Sequence, residues 1–127
     1  MEAYVEWNRC RGGGWCTLDE PDLADEHFHD LEGVYVMWYG EENQVALRVG
    51  HGMIRDCLFK ERDNIEIRIH GQQYEIYVTW AQVGQMFRDR VAKYITQALK
   101  PKLANSYPGV SPIEVNLPWS EETFPWE

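Results

Sequence analysis

Between Gly33 and Tyr39 the chain is apolar at both phases, Val34, Val36 and Trp38 alternating with Tyr35, Met37 and Tyr39. A strand with no polar face is covered on both sides, so this run predicts a central strand. A short polar loop containing Gly40 and Asn43 then leads into Val45–Gly50, a second run rich in β-branched residues, and the pair reads as a β-hairpin. Apolar residues at 53, 54, 57 and 58 next fall on one helical face, and Asp63-Asn64 closes that helix. Ile65–His70 alternates strictly between apolar and polar, the pattern of a strand buried on one face. With a turn at Gly71–Gln73 and a further run over Tyr74–Trp80, it predicts a second hairpin. The strongest helix signal spans Val83 to Lys100, with an apolar stripe of Val83, Phe87, Val91, Tyr94, Ile95, Ala98 and Leu99 that Pro101 terminates.

The flanks are less regular. Tyr4–Trp7 suits a short strand, while the three consecutive glycines of Cys10–Cys16 require a loop. Leu18–His29 is acidic, with Pro21 and Asp22 suited to a helix or turn start. Ser106–Glu127 holds four prolines and excludes a long helix. The expected fold is α/β in the α+β sense, a small and mostly antiparallel sheet flanked by helices. At 127 residues the chain is one domain. Residues 1–32 are an N-terminal elaboration, 33–105 the core and 106–127 an acidic tail. Trp38 and Trp80 read as core; Trp119 and Trp126 read as anchors folding the tail back or as hot spots for a partner.

Three cysteines, an odd number, argue against a disulfide framework. The N-terminus lacks the basic and apolar regions of a signal peptide, and no apolar run reaches membrane-spanning length. The expectation is a soluble cytoplasmic protein with no membrane partner. Charge is unevenly placed. Residues 1–47 hold 11 acidic and 2 basic side chains, residues 48–102 hold 10 basic and 6 acidic, and residues 103–127 hold 4 acidic and none basic. An acidic lead and tail bracket a mildly basic middle, and the net charge of −9 lowers the expectation of unspecific binding to a polyanion. Cys10, Cys16, His27 and His29 carry zinc-ligand chemistry, but Cys-x5-Cys is wider than the usual spacing, and lone cysteines with surface histidines are the plainer reading. No phosphate loop or nucleophile elbow is present.

Gly33-Val34-Tyr35, twelve residues, then Arg48-Val49-Gly50 resembles the paired motifs of the GIY-YIG nuclease superfamily, with Arg48 where the second tyrosine would stand. Tyr94-Ile95 and then Lys100-Pro101-Lys102-Leu103-Ala104-Asn105 is similar to the family's last helix and its asparagine-bearing tail. The resemblance covers Gly33 to Asn105 and implies metal-dependent phosphodiester cleavage: a tyrosine helping to activate water, an arginine on the first helix clamping phosphate, and a glutamate on the last helix holding Mg²⁺ or Mn²⁺. Tyr35 matches the first tyrosine. The arginine would fall near Cys57 or Leu58, leaving Arg48 and Arg55 as the positive charges that could act. The glutamate would fall at Ala92, which offers no donor, so a metal would need Asp89, one turn earlier, whose plainer role is pairing with Lys93. Without a neighbouring metal ligand, the plainer reading of Tyr35 is a core residue. His51, Arg88, Arg90 and Lys93 are the candidate phosphate contacts.

Two functions follow from the resemblance. The first is a catalytically lapsed GIY-YIG-like domain with a binding or regulatory role, using no cofactor and meeting a protein partner through its acidic, Trp-containing tail. The second is a DNA-directed protein using the basic middle segment, with Mg²⁺ or Mn²⁺ only if it cuts.

Overall fold

The computed structural model describes residues 2–119. Its centre is a four-stranded antiparallel sheet in the order β2-β5-β3-β4, formed by Cys16–Thr17 (β2), Glu32–Tyr39 (β3), Val45–Met53 (β4) and Tyr77–Gln82 (β5). The run that is apolar at both phases is β3, and it is central. Its odd residues Tyr35, Met37 and Tyr39 enter one core with Leu47, Ile54, Leu58 and Trp80. Its even residues Val34, Val36 and Trp38 enter another with Val49, Val91, Ala92 and Ile95. Helices α1 (Ile54–Arg62) and α2 (Ile65–Gly71) supply the first core, and α3 (Arg88–Leu99) the second. The predicted α+β class and the β3–β4 hairpin are therefore observed.

The segment Ile65–His70 is not a strand. Asn64, expected to end the preceding helix, opens α2 instead: its side-chain oxygen accepts from the amides of Glu66 (2.9 Å) and Ile67 (3.4 Å). A strand would bury Ile65, Ile67 and Ile69 together. In α2 only Ile67 enters the core (1 % exposed), while Ile65 and Ile69 stand 70 % and 56 % exposed. Consequently β5 pairs with β3, from Gly33 opposite Gln82 to Trp38 opposite Tyr77, and there is no second hairpin. Helix α3 starts later than its stripe suggested, because the Val83 amide still donates to the Glu32 carbonyl (3.2 Å) and holds the chain to the sheet. It ends at Lys100, in the left-handed region at φ 50°, where Pro101 forbids another turn.

The outer edge of β4 is covered by the chain that follows α3. The Lys102 and Leu103 backbone amides donate to the carbonyls of Ala46 (3.1 Å) and Leu47 (2.8 Å), and the Asn105 side-chain Nδ2 and Tyr107 hydroxyl both donate to the Val49 carbonyl (3.0 and 3.2 Å). An open edge is thus closed without a further strand. Beyond it, β6 (Glu114–Val115) pairs in parallel with β1 (Glu2–Ala3), and the Asn116 side chain bonds both backbone groups of Val5. Trp119 then packs on Trp38 with ring centres 4.9 Å apart, so the tail folds back as far as this tryptophan. Trp126 and the acidic residues Glu121, Glu122 and Glu127 lie outside the described residues. The expected short strand at Tyr4–Trp7 is replaced by the two residues of β1, and Leu18–His29 contains a single 3₁₀ turn at Glu26–Phe28.

One cysteine expectation is overturned. Cys10 and Cys16 form a disulfide, which the flexible Gly12-Gly13-Gly14 loop permits by bringing their Cα atoms to 5.1 Å. Cys57 is free. Among the described residues no helix is long and apolar enough to cross a membrane.

Candidate functional site

The hairpin and the first helix converge on a buried polar cluster. Tyr35 lies opposite Gly50 in the β3–β4 ladder, and its ring lies across that glycine. A Cβ at Gly50 would come within 2.4 Å of the Tyr35 hydroxyl, so the glycine is required by the tyrosine's placement. Gly33 is required for a similar reason, since a Cβ there would collide with the Ala81 carbonyl of β5. From this position the Tyr35 hydroxyl donates to Oε2 of Glu61 at 2.7 Å. The same carboxylate oxygen lies 3.1 Å from Nε of Arg48, in an ion pair whose side chains are 8 % and 15 % exposed. Asn64 donates to the other oxygen of Glu61 (3.4 Å), and the far end of Arg48 reaches the Leu103 carbonyl (3.4 Å) and Oδ1 of Asn105 (3.2 Å). Burial first, and then the negative charge of Glu61, push the Tyr35 phenol far above its ordinary value of 10.0. It is a proton donor here and stays protonated.

A second group of side chains lies along the end of β4. The His51 ring lies tilted at 45° against Tyr107 with ring centres 5.6 Å apart, and its Nδ1 is buried with no hydrogen-bond partner. Burial, and after it the charge of Arg88, hold the imidazole below its usual 6.5, with Asp89 opposing. Arg88 is itself paired with Glu32 at 3.0 Å. Cys57 Sγ faces the His51 carbonyl at 3.7 Å, and burial followed by the Glu61 charge raises its thiol pKa.

Of the residues singled out in the sequence, the structure joins Tyr35 to Arg48 through Glu61 and sets His51 near Arg88 and Asp89. It does not bring the others there. Arg55 donates to the carbonyls of Leu23 (2.6 Å) and Asp25 (3.4 Å), tying down the N-terminal elaboration. Arg90 and Lys93 donate to the carbonyls of Ser111 (2.9 Å) and Val110 (2.6 Å), tying down the C-terminal segment. Asp89, in the first turn of α3, accepts from the Arg90 amide at 2.8 Å and forms no ion pair with Lys93. Ala92 is fully buried in the core on the opposite face of the sheet from Tyr35.

This donor set does not fit a divalent metal. Both oxygens of Glu61 already accept hydrogen bonds or face Arg48, and among the described residues no three carboxylate, imidazole or thiol groups converge. The zinc alternative fails as well, because the Cys10 and Cys16 sulfurs are consumed in the disulfide. His27 Nε2 instead faces the Trp80 indole N–H at 3.0 Å, and His29 faces Asp30 at 3.2 Å.

The residue missed in the sequence is Glu61. Its signal was available: it continues the Ile54, Leu58 stripe at the next helical interval, and all three are buried. Comparison with protein-family models, curated proteins and solved structures finds no match to this chain.

Proposed function

We propose that this chain is a GIY-YIG-like domain whose nuclease chemistry has lapsed and which now serves a binding or regulatory role, with no cofactor. One observation carries the reading: the motif tyrosine donates its proton to a buried carboxylate that is already neutralised by Arg48, the residue in place of the second motif tyrosine. A phenol held protonated cannot act as a general base, and a buried carboxylate paired with Arg48 and bonded by Tyr35 and Asn64 is poorly placed to hold a metal. Ala92 supports the same reading, since the position expected to hold the metal carries a methyl group inside the core. The partner is a protein, met through the acidic Trp-containing end of the chain. The reading includes a cytoplasmic setting. The Cys10–Cys16 bridge pulls the other way, because such bridges persist in oxidising compartments. Mass spectrometry of the thiols in protein taken from its own cells decides between the two.

The runner-up is a DNA-directed protein with a displaced site, and its support is the group formed by His51, Arg88 and Asp89. One gel separates the readings: supercoiled plasmid with Mg²⁺ or Mn²⁺, with wild type, Tyr35→Phe and Asp89→Ala side by side. The expected result is no nicking by any of the three. Metal-dependent nicking by wild type that both substitutions abolish would overturn the proposal.

A further inference from the structure

The N-terminal segment and β5 part company at Trp80, and the fork between them stays open. The Asn8 amide donates to the Trp80 carbonyl (3.0 Å), so the segment meets the outer edge of β5 at that residue. Towards its start the chain is drawn away, where β1 pairs with β6 and Asn116 bonds both backbone groups of Val5. Along β5 the Trp80 carbonyl points outward to Asn8, while the Val83 amide points inward to Glu32. Backbone groups alternate along a strand, so the N–H and C=O of Gln82 face outward. Among the described residues they meet no partner. Beside Gln82 the fork opens into an apolar groove of about 260 Å³. Its floor is Val5, Val83, Val91, Ile113 and Val115, all buried, and its rim carries the exposed rings of Tyr4 and Phe87. Glu6 and Glu114, each next in sequence to a floor valine, are exposed. Of the cations nearby, Arg88 is paired with Glu32 and Arg90 is turned to the Ser111 carbonyl.

We infer that this groove binds an extended, basic segment of another protein, added as a strand to the open edge of β5. An unpaired strand edge is a template for a further chain, with main-chain bonds supplying affinity and alternate side chains specificity. A partner residue opposite Gln82 exchanges both N–H···O bonds with it. The side chains before and after that residue then point to the same face as Ala81 and Val83, which is the face of the groove. The recognised pattern is therefore apolar-x-apolar. The uncompensated charge at the rim is acidic, which selects lysine or arginine at the flanks. The chain's own Phe124-Pro125-Trp126 has the apolar pattern but not the chemistry. Pro125 has no N–H to give Gln82, and Glu121, Glu122 and Glu127 carry the sign of the rim. The groove belongs to the core on the opposite face of the sheet from Tyr35, so neither proposal depends on the other.

The test is fluorescence anisotropy of dye-labelled peptides titrated with the full chain at constant ionic strength. The parent probe is Lys-Lys-Thr-Val-Thr-Val-Thr-Lys-Lys. Three relatives change one feature each: serines for the valines, glutamates for the lysines, and N-methylation of the central threonine, whose N–H would meet the Gln82 carbonyl. Saturable binding of the parent is expected, with each relative about tenfold weaker. On the protein, Tyr4→Ser, at a position 82 % exposed, and Glu6→Lys/Glu114→Lys, at exposed positions, leave the core intact. Each should weaken the parent peptide by about tenfold. Failure of the parent to saturate, equal binding of the glutamate or N-methylated peptide, or wild-type affinity in both variants would overturn the site. Binding that emerges only in a Phe124→Ser/Trp126→Ser variant would overturn it too, by making the chain's own tail the occupant.

Discussion

Replacing Glu61 by Gln tests the central cluster most directly. The amide keeps an acceptor for the Tyr35 hydroxyl but removes the charge opposite Arg48, whose side chain is only 15 % exposed. What remains to Arg48 is a carbonyl at 3.4 Å and an amide oxygen at 3.2 Å, neither charged. Removing one member of a buried ion pair costs about 3–5 kcal/mol, because the survivor keeps its desolvation penalty without its partner. With an unfolding entropy of roughly 2.1 cal/mol/K per residue, 1 kcal/mol corresponds to about 4 °C for a domain of this size, so Tm falls by roughly 11–19 °C. Arg48→Met is expected to cost a similar amount, leaving the carboxylate with one phenol and one amide. The double variant Arg48→Met/Glu61→Gln removes both charges while keeping an acceptor for the Tyr35 hydroxyl, and is expected to recover most of the loss, ending within about 1–2 kcal/mol of wild type. Urea unfolding of the four proteins, analysed as a double-mutant cycle, gives the coupling. Single variants that each cost less than about 1 kcal/mol, or a double variant whose cost is the sum of the two, would refute a buried, mutually dependent pair.

Tyr35 should not ionise in the folded protein, since its phenol is held far above 10.0. The stability it contributes is complete below pH 10 and is lost as pH rises beyond it, because only the unfolded chain releases the proton. Phenolate absorbance should therefore be the same for wild type and Tyr35→Phe until the alkaline unfolding step; an earlier difference contradicts the geometry. His51 has the opposite sign. Its folded pKa lies below 6.5, so the unfolded chain binds the proton first and stability falls as pH drops through 6.5 and below. His51→Gln should lose less stability than wild type between pH 7.5 and pH 5, measured by urea unfolding, and parallel losses would mean that the ring is solvated. Reduction of the Cys10–Cys16 bridge frees a short loop and should cost about 2 kcal/mol, or roughly 8 °C in Tm. An unchanged melting curve in dithiothreitol, with reduction confirmed by thiol titration, would show the loop to be held by Trp15 packing alone.

The elements that were legible carried their constraint in their own residues. A run apolar at both phases can only be central, and β3 is. A stripe ending in Lys100-Pro101 can only stop there, and α3 does. Ile65–His70 was misread because six alternating residues fit a strand as well as they fit one buried position on a short helix. The deciding residue lay just outside the run, where Asn64 caps two amides. The disulfide was illegible for a different reason: an odd cysteine count says nothing about a single bridge closed within one glycine loop. A sequence shows charge but not the backbone carbonyls that the side chains of Arg55, Arg90 and Lys93 meet.

The cluster itself could have been derived. A carboxylate on the buried stripe of α1 must find a hydrogen-bonded cation or stay protonated. Helix α1 packs on the hairpin, and Arg48 is the one lysine or arginine in β4. Its position is even more telling, since it takes the place of a tyrosine in the motif the hairpin resembles. Read separately, Arg48 and Glu61 are each an unexplained charge in a core. Read together, each is the condition for the other: Arg48 without Glu61 would bury a bare guanidinium, and Glu61 without Arg48 a bare carboxylate. The two charges are therefore one arrangement in two halves. The same carboxylate that pairs with Arg48 accepts from the Tyr35 hydroxyl, so one buried group holds both the cation and the phenol in place.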